Sequence, residues 1–194
     1  MVYWIGYYLF HLFRFIWFPC QIHGLENIPS HGGVIFASNH NSNLDPFIIG
    51  IIPKREVYFF AKKELFKNPV LAWLMREWHA FPVDRSRADI GALKTSIRYL
   101  REGSPLVFFP EGTRGGGADG KTFPGIGFLV SKTRVPVIPV YIEGSERCLP
   151  PRAKFPRRTA VSVFFGKPMF FPETVSYEEI STRVMQGIIT LNPV

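Results

Sequence analysis

The chain is poor in the residues that build metal centres and disulfide scaffolds. Its two cysteines, Cys20 and Cys148, lie far apart and form no CxxC pair, which excludes a zinc ribbon or a cysteine-stapled fold. One disulfide between them is permitted but not argued for, and a reducing cytosolic compartment fits equally well. His11, His23, His31 and His79 keep no ligand spacing with the cysteines, so no structural metal is expected. A GxSxG nucleophile elbow is missing too, and with it the strained turn that exposes a serine nucleophile. Zinc fingers, basic-zipper heptads and RNP-like aromatic motifs are absent, so no nucleic-acid partner is expected. There is no internal repeat and no low-complexity linker.

What is present describes one folded domain with an unusual surface. A chain of 194 residues with 46% apolar and 20% charged side chains can bury a sizeable core. Nineteen phenylalanines cost solubility unless some of that surface meets lipid or a partner. The net charge of +8 points to an anionic partner, and an acidic lipid surface fits it. Basic residues are scattered except in residues 152–158, a run that either touches lipid headgroups or is a solvated loop.

Residues 1–18 are almost wholly apolar and aromatic, and Pro19 stops them. As a helix they would be about 27 Å long, at the short limit for spanning a bilayer. Tyr3, Tyr7, His11 and Arg14 fall on one narrow stripe, a pattern suited to a helix lying in the membrane interface. A helix buried in the protein's own core is the second reading. A cleavable signal peptide is not expected, since no basic segment precedes the apolar run and no small-residue site follows it. The predicted organisation is a membrane-associating helix over residues 1–20 and one domain over residues 21–194.

From Gly24 onward short apolar strands alternate with helical segments. Strands are predicted at residues 34–37, 57–61, 80–83, 106–109, 137–142 and 160–165, and helices at 46–52, 65–78, 87–101, 128–132 and 178–191. That alternation predicts a single α/β domain with a mostly parallel mixed sheet flanked by helices. Ligands of such sheets gather beyond the carboxyl ends of the strands. His40, Asp84 and Arg85, Glu111 to Arg114, and Glu143 each follow one predicted strand.

Within His40-Asn41-Ser42-Asn43-Leu44-Asp45, a histidine and a carboxylate stand five positions apart. On a helix they would be about 140° apart, so they meet only if Asn41-Ser42-Asn43 turns the chain. A carboxylate beside a histidine fixes its tautomer and raises its basicity, which a general base needs. The alternative is that Asp45 caps a helix with Pro46 in its first position. Gly115-Gly116-Gly117-Ala118-Asp119-Gly120-Lys121-Thr122 matches the phosphate-loop pattern GxxxxGK[ST] literally. No strand directly precedes it, and Phe123-Pro124-Gly125 is a poor first turn of helix, so a glycine-rich surface loop is the better reading.

Four blocks occur in order: Asn39 to Asp45, Phe81-Pro82-Val83-Asp84-Arg85, Phe109-Pro110-Glu111-Gly112-Thr113-Arg114, and Val135-Pro136-Val137-Ile138-Pro139-Val140. Together they resemble the four motifs of the 1-acyl-sn-glycerol-3-phosphate acyltransferase family. That resemblance implies acyl transfer from acyl-CoA or acyl-carrier protein to the free hydroxyl of a lysophospholipid. It implies no cofactor beyond the thioester co-substrate, and a protein associated with the cytoplasmic face of a membrane. His40 would be the general base and Asp45 its orienting partner. Arg85 and Arg114 would bind the acceptor phosphate, and Glu111, Gly112 and Thr113 would shape the acceptor site. Where many members carry Lys-Pro-Gly this chain has Phe123-Pro124-Gly125, so one expected cation is absent unless Lys121 replaces it. With little chain beyond the fourth block, no extra specificity domain is expected.

Overall fold

The structure, a computed structural model, describes residues 2–84, 89–111, 125–150, 153 and 155–193. Seven strands are β1 (Cys20–His23), β2 (Val34–Ser38), β3 (Tyr58–Lys62), β4 (Ala80–Val83), β5 (Pro105–Phe108), β6 (Val137–Glu143) and β7 (Val161–Phe165). They form one sheet in the order β1-β7-β6-β2-β5-β3-β4. The five strands from β6 to β4 are mutually parallel, β7 is antiparallel to β6, and β1 is parallel to β7. The mostly parallel mixed sheet expected from the alternation is therefore the one observed. The carboxyl ends of the five parallel strands from β6 to β4 share one edge, where β7 and β1 begin.

The helices are α1 (Val2–Trp17), α2 (Asp45–Ile51), α3 (Pro69–Glu77), α4 (Ile90–Arg101), α5 (Gly125–Thr133), α6 (Ser145–Cys148) and α7 (Tyr177–Ile189). β2 is apolar at nearly every position because both its faces are covered. Val34 and Phe36 join Ile48, Ile49 and Met75 in the core under α1, α2 and α3. Ile35 and Ala37 join Ala92, Leu129 and Val184 in the core under α4, α5 and α7. A Cβ at Gly127 would overlap the Tyr177 carbonyl oxygen, so the approach of α5 to α7 requires glycine there.

Several boundaries differ from the sequence pattern. The predicted 65–78 helix is a 3-10 turn at Lys63–Phe66 followed by α3, whose start Asn68 caps by accepting from the Val70 and Leu71 amides. α5 begins at Gly125 rather than residue 128. β1 and α6, each four residues long, were not foreseen. Cys20 and Cys148 are both free.

The polar stripe of α1 faces the protein. The Tyr3 hydroxyl donates to the Arg55 carbonyl at 3.1 Å and accepts from the Val57 amide at 3.1 Å, and His11 Nε2 pairs with the Ile51 carbonyl at 3.0 Å. A Cβ at Gly6 would overlap the Trp78 indole nitrogen, and Phe10 stacks on Phe47. The opposite face, with Ile5, Tyr8, Leu9, Leu12, Phe15 and Ile16, is exposed. No residue of α1 is buried, which corrects the reading of a core helix. Among the described residues no helix is long and apolar enough to cross a membrane.

Candidate active site

β2 is central in the sheet and delivers His40 two residues past its end. Beyond Ser38 the chain leaves the ladder, and Asn39 takes over the pairing. Its Nδ2 donates to the Ile142 carbonyl at 2.8 Å, and its Oδ1 accepts from the Ile142 amide at 2.8 Å. A side-chain amide thus continues the β2 to β6 pairing in place of backbone. The residues after it are freed to turn.

That turn brings the pair together: His40 Nδ1 lies 3.0 Å from Asp45 Oδ2. His40 is 4% and Asp45 0% exposed. Asp45 is the first residue of α2 rather than its cap, a place held by Leu44. The same Oδ2 accepts from the Asn41 amide at 2.8 Å and the Ser42 amide at 2.7 Å. Two backbone donors fix that oxygen as an acceptor, so the remaining Nδ1 contact is donated by the imidazole and Nε2 carries the lone pair. Phe109 stacks on the ring at 4.1 Å between centroids and 23° between planes. Burial, a carboxylate and an aromatic plate therefore hold one orientation of the base.

β5 lies beside β2 with Ala37 opposite Phe108, so Glu111 stands three residues beyond Phe108 as His40 stands three beyond Ala37. Burial first and the Asp45 charge second push the Glu111 carboxyl above the ordinary glutamate range. The carboxylates of Glu111 and Asp45 thus share one environment. Asp84 follows β4, three strand spacings or about 14 Å from β2. Its carboxylate pairs with Lys63 at 2.6 Å, and its amide donates to Asp89, which caps α4. It lies on the same edge without touching His40. Glu143 ends β6 and faces Arg147 at 3.9 Å. Arg85, Gly112, Thr113 and Arg114 lie outside the described residues, as do Lys121 and the phosphate-loop match at 115–122.

The structure therefore brings together His40, Asp45 and Glu111, and adds two residues to which the sequence assigned no role, Asn39 and Phe109. Both stood inside the quoted blocks. Their functions depend on β2 lying between β6 and β5, which spacing alone does not reveal.

A family model described as Acyltransferase matches residues 19–143. A 1-acyl-sn-glycerol-3-phosphate acyltransferase of Bacillus subtilis is 36% identical over 95 residues, 48% of each chain. A chloroplastic enzyme of the same name from Brassica napus is 34% identical over 140 residues, 69% of this chain and 40% of its own length. The chain spans about half the length of the curated relatives it matches, or less. The crystal structure of the 1-acyl-sn-glycerophosphate (LPA) acyltransferase PlsC from Thermotoga maritima is similar at a TM-score of 0.71 and 30% identity, covering 91% of this chain and 73% of that one. With the family model covering well over half of its residues, His40 and Asp45 included, the chain belongs to the acyltransferase family.

Proposed function

We propose that the protein moves a fatty acyl group from a thioester, acyl-CoA or acyl-carrier protein, to the free hydroxyl of a lysophospholipid. The favoured acceptor is 1-acyl-glycerol-3-phosphate, which would give phosphatidic acid. The observation that carries the reading is the buried His40–Asp45 pair with its carboxylate anchored by two amides. In the proposed step Nε2 takes the acceptor hydroxyl proton while the oxygen attacks the thioester carbonyl carbon. The imidazolium is stabilised by Asp45 through Nδ1. As the carbon–sulfur bond breaks, the sulfur takes the proton from Nε2, and His40 returns to its neutral form. No acyl-enzyme and no cofactor enter this step.

Arg85 and Arg114 would hold the acceptor phosphate, since a guanidinium offers two parallel donors to it. Gly112 and Thr113 would line the acceptor site beside Glu111. The outward apolar face of α1 supports association with a membrane surface, and the proposed side is the cytoplasmic one.

The experiment is an acyl transfer assay with labelled acyl-CoA, acyl-carrier protein and a panel of lysolipids, run on wild type, Arg85→Ala and Arg114→Ala. Loss confined to phosphate-bearing acceptors supports the assignment. Equal losses with a neutral or zwitterionic acceptor would favour a different lysolipid.

A further inference from the structure

Residues 155–160, which lead into β7, take no part in the proposed step. Three contacts fix their place. The Arg157 amide donates to the Cys148 carbonyl at 2.7 Å and the Thr159 amide to the Trp17 carbonyl at 3.2 Å. The Ser42 hydroxyl donates to the Leu149 carbonyl at 3.5 Å. The loop therefore sits between the turn that carries His40 and Asp45 and the end of α1, at the carboxyl edge of the sheet.

Its chemistry is one-sided. Phe155 is 80% exposed, and Arg157 and Arg158 are exposed beside it. The sequence from 149 to 160 holds Arg152, Lys154, Arg157 and Arg158 and no acidic residue. Glu143 and Glu146, the acids that precede it, both face Arg147. Across the Thr159 to Trp17 contact, α1 exposes Leu12, Phe15 and Ile16, with Phe15 at 79%. Residues 1–20 contain no acid either. Two adjoining segments thus present aromatic and aliphatic side chains framed only by cations. An anionic bilayer satisfies both features at once, taking rings at the acyl boundary and arginines at the phosphates.

We propose that residues 155–160 form a second membrane contact, docking on anionic phospholipid through Phe155, Arg157 and Arg158. Together with α1 it turns the carboxyl edge, and His40 with it, toward the bilayer. The inference rests on the membrane reading of α1 given above.

The test is co-sedimentation of the full chain with phosphatidylglycerol–phosphatidylcholine vesicles and with phosphatidylcholine vesicles at low salt. Arg157→Gln/Arg158→Gln is expected to lower partition onto the anionic vesicles about 30-fold, for the loss of two surface cations, and to change partition onto neutral ones little. Phe155→Ser is expected to lower both. Thermal melts of each variant check that the fold persists, and Leu12→Ser/Phe15→Ser reports on α1 separately. If both loop variants partition as wild type while the α1 variant does not, the loop proposal fails and the α1 reading stands. If wild type binds neither vesicle, both fail. Unchanged vesicle binding with loss of binding to a short RNA would assign the loop to nucleic acid and overturn the proposal.

Discussion

Replacing Asp45 by asparagine exchanges one buried oxygen for an amide nitrogen and removes the negative charge. In wild type Oδ2 accepts from His40 Nδ1, the Asn41 amide and the Ser42 amide, while Oδ1 is buried with no donor among the described residues. The two backbone N–H groups reject an NH2 at the Oδ2 place, so the new carbonyl oxygen occupies it and the NH2 takes the Oδ1 place. His40 keeps its Nδ1–H tautomer, and Nε2 remains a base. What is lost is the ionic part of the bond to the imidazolium. Hydrogen bonds to charged groups contribute about 1.5–3 kcal/mol, and at about 1.36 kcal/mol per decade this is a fall of roughly 10- to 150-fold in kcat. The assay is release of the thiol from acyl-CoA, followed with a chromogenic thiol reagent at saturating acceptor. A wild-type rate would refute the assisting role of Asp45. A fall of about 10⁴-fold, the size seen when a triad histidine is left in the wrong tautomer, would refute the argument that Asn41 and Ser42 fix the amide.

Other perturbations test the supports. Asn39→Ala leaves the Ile142 amide and carbonyl without partners at about 1–3 kcal/mol, which is expected to lower Tm by about 2–12 °C; an unchanged melt would count against the side-chain continuation of β2. Glu111 is raised by burial and by Asp45, so the folded state keeps a proton that the unfolded chain has released. Stability therefore falls as pH rises through the window above 4.5, and Glu111→Gln should melt higher than wild type at pH 7, with the gap closing below pH 4.5. Burial pushes the Tyr3 phenol up to about 12, so it is neutral across ordinary pH. Tyr3→Phe orphans the Val57 amide and should speed proteolysis of α1 equally at pH 6 and pH 9; unaltered cleavage would show that Tyr3 does not hold the helix.

Much of the architecture was written in local pattern. β2 and β4 were legible because apolar runs bounded by turn residues are strong signals, and α7 because Ser176 caps its start by accepting from the Glu179 amide, whereas the helix expected from residue 87 begins as α4 at Ile90, behind the Asp89 cap. Asn68 and Pro69 carried the start of α3 just as plainly, yet the apolar Leu65 and Phe66 extended the periodicity across it. β1 escaped because four residues on an edge give too short an alternation. The reversal of β7 is a matter of topology, and no spacing encodes it. In the site, the meeting of His40 with Asp45 was readable from a turn-prone triplet. The direction of the Asp45 carboxylate was not, because it depends on whether the amides behind it or ahead of it are nearer. α1 shows the same limit. Its stripe of Tyr3, Tyr7, His11 and Arg14 was visible, but which side faces the protein depends on the carbonyls of Ile51 and Arg55 lying beneath it.

The central claim is that His40 is the general base of acyl transfer, held by Asp45. Its most direct test is the turnover of His40→Ala with 1-acyl-glycerol-3-phosphate and acyl-CoA, on protein whose melt matches wild type. A fall on the order of 10²-fold or more is expected from loss of a positioned base. Turnover equal to wild type would contradict the account.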